Sequence, residues 1–148
     1  MSLGDLLENS DKSNLFGQSL NTGEVFLKKF EGIDHPKFFI IAGISKDRIS
    51  VCSVYINSHI HPSIMQKQKL LDLQILLKKQ NNSFLKYDSY VNCSDYISMK
   101  LNAISNWIAD RSCKVIGSIN DEELKSIRET LINSGLLTGE QIEEFFSD

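Results

Sequence analysis

The chain has 148 residues, enough for one domain with its own core, and its 41% apolar and 24% charged content is ordinary for a globular protein. A formal charge of −3 excludes the strongly basic balance of a generic nucleic-acid binder, although local patches can still bind. No apolar run approaches the length of a membrane span, so no membrane partner is expected.

Residues 1–22 are rich in Ser, Asn, Asp and Gly and read as a flexible arm with a short helix at 3–8; residues 23–148 read as a single domain. Gly23 opens GEVFLKKF, a strand over 24–30. The loop from Glu31 to Lys37 holds the turn-formers Gly32, Asp34 and Pro36. KFFIIAGI is an uninterrupted apolar run and reads as a strand buried on both faces. Ser45-Lys-Asp-Arg48 is a polar turn of hairpin length, and ISVCSVYIN (49–57) is the third strand.

From His59 to Asn82 the pattern is weaker. Pro62 suits the first position of a helix covering SIMQKQKLLDL. Gln74–Lys78 either ends that helix or forms a short edge strand. FLKYDSYVNCSDY (84–96) then alternates: Leu85, Tyr87, Val91 and Cys93 share one parity, and Lys86, Asp88, Tyr90 and Asn92 the other. That is the period of a half-buried strand.

Met99, Leu101, Ile104, Trp107 and Ile108 follow helical spacing, and Lys114–Ile119 reads as the last strand. Asn120 with Glu123 three residues on makes a capping box, and the acidic first turn complements the helix dipole. Leu124, Ile127, Leu131 and Ile132 form the apolar face of that helix, and Gly135 fits its left-handed end. Thr138 and Gln141 repeat the capping signal before a short helix with Ile142, Phe145 and Phe146. Strands followed by helices argue an α+β domain, or a small barrel with helical additions.

Charge is uneven along the chain. Between His59 and Lys86 five lysines face one acid, Asp72, whereas from Asn120 to Asp148 eight acids face Lys125 and Arg128. Solvated helix and loop surfaces account for this without a partner.

Candidate chemistry is sparse. Cys52, Cys93 and Cys113 form no C-x-x-C motif; an odd count without a secretory signal points to reduced, buried thiols in a cytoplasmic protein. His59-x-His61 can put two rings beside one metal ion, but no third ligand is nearby, so a surface-loop pair is favoured. His35 can move a proton near neutral pH, and Lys37 close by can hold a phosphate. There is no Gly-rich phosphate loop, no H-E-x-x-H and no G-x-S-x-G, which weakens ATPase, zinc-protease and α/β-hydrolase readings.

The order of several short segments resembles the PemK/MazF-like toxin family. Gly23-Glu-Val-Phe-Leu27 resembles its opening strand, and His35-Pro36 before KFFIIAGI resembles its basic-Pro step and apolar strand. Asn57-Ser58 falls where the family has Thr or Ser after a strand. FLKYDSYVNCSDY resembles a later strand, and KVIGSINDEELKSIRETLINSGLL the closing strand and helix. The likeness runs from about residue 23 to 137.

This resemblance implies a mainly β, α+β domain: a small, bent-sheet SH3-like barrel with added helices and an amphipathic helix near the C-terminus, paired as a homodimer. It implies an endoribonuclease that cuts single-stranded RNA with no cofactor, the ribose 2′-hydroxyl attacking the adjacent phosphate, and an acidic antitoxin peptide as partner. His35 replaces the family's arginine and would serve as acid or base. Ser58 would touch phosphate or ribose, and Asp88 would lie on the groove wall; these three are the catalytic candidates. Lys37, Lys86 and His59 would bind RNA. Arg48 sits in a turn away from the family's usual arginine, and the 59–82 segment is longer than in compact members. The rival expectations are a non-catalytic module on the same fold, binding protein or nucleic acid, and a metal hydrolase using His59 and His61.

Overall fold

The computed structural model describes residues 20–32 and 34–147. The expected helix at 3–8 and most of the expected arm lie outside them. Leu20 is buried, and its carbonyl accepts a hydrogen bond from Arg48 Nη2 at 2.8 Å.

Six strands form one antiparallel sheet: β1 (Glu24–Lys28), β2 (Lys37–Ile44), β3 (Ser50–Asn57), β4 (Gln74–Leu77), β5 (Ser89–Lys100) and β6 (Cys113–Ser118). Their order is β4-β5-β3-β2-β1-β6. The predicted closure into a barrel is not seen: β4 and β6 are the two edges of an open sheet. Register shifts between Val25 and Phe26, Ile41 and Gly43, and Ser53 and Tyr55 interrupt the ladders. Bulges of this kind bend strands and sharpen their twist.

Five α-helices complete the described chain: α1 (Pro62–Met65), α2 (Gln68–Leu71), α3 (Leu101–Ala109), α4 (Asp121–Asn133) and α5 (Gly139–Phe146). The single helix expected after Pro62 is instead two one-turn pieces, because Lys67 takes an extended backbone between them (φ −122, ψ 103). Pro62 does occupy the helix start. Of the two readings of Gln74–Lys78, the edge strand is observed.

Strand alternation divides the apolar residues into two cores. On one face Val25, Ile40, Val54 and Val91 pack under Ile127 and Leu131 of α4 and Phe145 and Phe146 of α5. On the other, Phe26, Phe39, Ile41 and Val51 pack under Leu101 and Ile104 of α3. Helices on both faces explain why KFFIIAGI is apolar at every position but one.

Both capping boxes form. Asn120 Oδ1 accepts from the Glu123 amide at 2.8 Å, and Thr138 Oγ1 from that of Gln141 at 3.1 Å. Gly135 follows α4 with a φ of +78, the left-handed turn expected there. Gly43 answers a different need. A β-carbon there would stand 2.8 Å from the Phe145 carbonyl oxygen and 2.9 Å from its Cβ, so the bare backbone lets α5 lie against β2.

Two boundaries differ from expectation. The fifth strand starts at Ser89, not 84, and Tyr87 is exposed rather than inward. Residues 84–88 form a turn that folds Phe84 back onto Phe38, ring centroids 5.9 Å apart and edge to face. Met99 lies in β5 instead of starting the helix, because pairing with β3 (Met99 with Val51, Lys100 with Ser50) carries that strand to Lys100.

Candidate functional site

Antiparallel pairing collects several strand ends at one rim. Lys28, the last residue of β1, is opposite Lys37, the first of β2. At the end of β3, Asn57 is opposite Tyr90 near the start of β5, and Leu77 at the end of β4 is opposite Ser89. Only β3 separates β2 from β5, so the start of β2 and the start of β5 are two strand spacings apart, about 10 Å. The 31–37 loop and the 84–90 segment therefore flank the same rim, and Phe38, just after the loop, meets Phe84 edge to face.

Each predicted residue can be located against this rim. His35 is exposed in the loop before β2, and Lys37 is half-buried with Nζ 5.2 Å from the centre of the Tyr55 ring. Ser58 and His59 follow β3 directly; both are exposed, with Ser58 Oγ 2.9 Å from His59 Nδ1. Lys86 is exposed in the turn before β5. Asp88, also exposed, accepts a hydrogen bond on Oδ1 from the Lys79 amide at 2.9 Å, which ties the 3₁₀ turn Lys79–Asn81 to the start of β5. The rim thus gathers the six residues, but only Ser58 and His59 are bonded to each other. No hydrogen bond among the described residues joins His35, Lys37 or Asp88 to that pair.

His61 is otherwise engaged. Its Nδ1 accepts from the Ser63 amide at 3.1 Å and caps α1. The described residues contain no group of three or more His, Cys, Asp or Glu arranged to hold a metal.

The α3 side of the rim carries residues that the sequence pattern did not single out. Lys28 is only 8% exposed, yet its ammonium donates to the Lys29 carbonyl at 2.9 Å and to Ser112 Oγ at 3.2 Å. It also lies 4.9 Å from the centre of the Trp107 ring and 5.3 Å from that of Phe30. Phe30 meets Trp107 and Tyr55 edge to face, each at 6.1 Å. Burial, and secondarily the Asp95 carboxylate, raise the Tyr55 phenol above its usual pKa. The available signal was parity: Lys28 shares a face with Phe30, and Tyr55 with Asn57, in segments otherwise read as plain core strands.

The three cysteines are buried and unpaired. Burial pushes the Cys52 and Cys93 thiols up to about 12 and Cys113 to about 11, so none is a ready nucleophile.

Chemically, the rim offers a hydroxyl–imidazole pair, several ammonium groups and half-exposed aromatic rings. That set can hold a phosphodiester, stack a base and move a proton. No protein-family model matches the sequence, and no curated protein matches it.

Proposed function

We propose that this chain is a PemK/MazF-like endoribonuclease of the toxin–antitoxin type, acting on single-stranded RNA in the cytoplasm. The carrying observation is the register of β2, β3 and β5, which brings the His35–Lys37 loop, the Ser58–His59 pair and Asp88 to one rim. The bulged sheet fits an opened form of the bent SH3-like barrel that the sequence resemblance implies. A homodimer and an acidic antitoxin peptide belong to the same proposal.

In this reading the 2′-hydroxyl oxygen forms a bond to the neighbouring phosphorus while the bond from phosphorus to the 5′-oxygen breaks. The 2′ proton passes to an imidazole, with His59 or His35 as the base. The other imidazole, as its conjugate acid, protonates the departing 5′-oxygen. Lys37 offsets charge on the phosphorane oxygens, a role worth most where donors are already in place. No metal enters these steps.

Incubating the protein with mixed-sequence single-stranded RNA in EDTA tests the proposal. Fragments ending in a 2′,3′-cyclic phosphate are expected, and cleavage is expected to fall about 100-fold or more in His59→Gln if this imidazole transfers the proton. Intact RNA under these conditions refutes the enzymatic claim.

A second reading has its own support. Asp88 already serves the Lys79 amide, and His35 is not bonded to the Ser58–His59 pair. A non-catalytic binding module would need no more than the rim and its charges. Stoichiometric RNA or protein binding without cleavage favours that reading.

A further inference from the structure

Lys28 and Lys37 are directly opposite one another across β1 and β2, which points both side chains to the α3 face. Like charges in that position are destabilising. Neither ammonium has a carboxylate within ion-pair distance among the described residues, although Lys28 is nine-tenths buried. Asp110 feels Lys28 only as its weakest influence and is held low mainly by hydrogen bonds from Ser112. Opposed cations at the end of a buried strand, walled by three half-exposed rings, are a local conflict that packing alone does not resolve. Carbonyl, hydroxyl and ring faces satisfy the two ammonium groups, but no anion balances their charge; local conflicts of this kind occur at functional sites.

We infer that the Lys28–Lys37 pair is a phosphodiester subsite for single-stranded RNA, with a flanking base stacked against the Phe30–Tyr55 side of the aromatic wall. The uncompensated charge favours an anion. The rings ask for a flat apolar partner next to that anion, and a nucleotide provides both on one repeat. An acidic peptide offers the charge, but supplies a flat group only where an aromatic or arginine side chain happens to lie beside the acid, whereas every nucleotide carries both. Half-buried amide side chains continue the same face from Asn57 toward the β4 edge. There Gln74 Nε2 donates to Asn92 Oδ1 at 2.8 Å, leaving polar surface along which a strand can extend. The subsite rests on the RNA reading above and shares Lys37 with it; Lys28, Phe30, Tyr55 and Trp107 have no role in proton transfer, so binding here is separable from the proton-transfer steps.

Trp107 is the only tryptophan in the chain, so its emission reports on this wall alone. The test titrates a uridine octamer into the intact protein in EDTA, following Trp107 fluorescence together with filter binding at several salt concentrations. Binding should change Trp107 emission. Lys37→Met should weaken binding severalfold and reduce the slope of log K against log salt by about 0.7, the value for one phosphate contact on a single strand. Tyr55→Leu should weaken binding roughly tenfold, while leaving that slope unchanged. Circular dichroism and urea midpoints confirm that each variant folds, and Lys37→Arg serves as the rescue. If RNA binds but Trp107 emission and the Lys37→Met slope do not move, the subsite is wrong and Lys37 loses its phosphorane role, while the imidazole chemistry of the function proposal stands on the cleavage assay. If the wild-type protein binds no RNA, both fall. If an acidic peptide, and not RNA, shifts Trp107 emission and loses affinity in Lys37→Met, the site belongs to a protein partner and the inference is overturned.

Discussion

Gly43→Ala is the sharpest test of how the two layers on the α4–α5 face are joined. The added methyl would lie 2.8 Å from the Phe145 carbonyl oxygen, and 2.9 Å from both Phe145 Cβ and Phe146 Cε1. Backbone and Cβ atoms cannot rotate away, so α5 must lift or β2 must sink. Overpacking of this kind costs about 1–3 kcal/mol. Against that, replacing glycine within a strand restricts the unfolded chain and returns about 0.5–1 kcal/mol. Complete release of α5 would expose Phe145 and Phe146, now 5% and 8% exposed. At about 1.5–3 kcal/mol per aromatic ring, that sets a ceiling near 3–6 kcal/mol. A net loss of about 1–2 kcal/mol is expected, equivalent to a fall of roughly 3–6 °C in Tm for a domain of this size. Urea unfolding gives the free energy and thermal scans the midpoint. Gly139→Ala is the control, since a β-carbon there meets nothing within 4 Å. The two changes should have opposite signs or very different sizes. Combining Gly43→Ala with Phe145→Ala should cost less than the sum of the two, because the first already loosens what the second removes. A Gly43→Ala protein as stable as the parent would refute the close packing of α5 on β2.

Three further outcomes follow from particular contacts. Burial holds the Cys52 and Cys93 thiols protonated up to about 12, above the usual 9.0. Ellman's reagent at pH 8 should leave native thiols largely unreacted and titrate three after denaturation; fast stoichiometric reaction of the native protein contradicts their burial. The same shift sets a sign: stability from these thiols is complete below about pH 9 and is lost as pH rises toward 12, since the unfolded chain ionises first. Asn120→Ala removes the acceptor for the Glu123 amide and should cost about 1 kcal/mol in urea unfolding, while an unchanged midpoint would deny the cap any net contribution. Asp88→Asn keeps an oxygen for the Lys79 amide, so stability should hold within about 0.5 kcal/mol. RNA cleavage that also persists in this variant would remove Asp88 from the chemistry.

What could be read from the chain order was local. The apolar run of β2, the Ser45–Arg48 hairpin, both capping boxes and the left-handed Gly135 depend on residues a few positions apart, so their signals survive without knowledge of partners. The first error of boundary came where a distant contact overrode the local period: Phe84 turns back to meet Phe38, which delays β5 until Ser89. Met99 is strand for a similar reason, since its neighbour in space is Val51. The helix expected after Pro62 breaks because Lys67 is extended and the segment buries no residue that would hold a longer helix together.

The candidate rim was only half legible. His35, Lys37, Ser58 and Asp88 carried a resemblance, but their neighbourhood depends on β3 inserting between β2 and β5. The opposition of Lys28 to Lys37, and the wall of Phe30, Tyr55 and Trp107 around it, come from three remote stretches of chain. Sequence determined which segments become strands and helices, because hydrophobic period and capping act within a few residues. Tertiary structure alone decided which strand ends share a rim and whether the sheet closes, because those depend on pairing between segments far apart, whose energies no local pattern encodes.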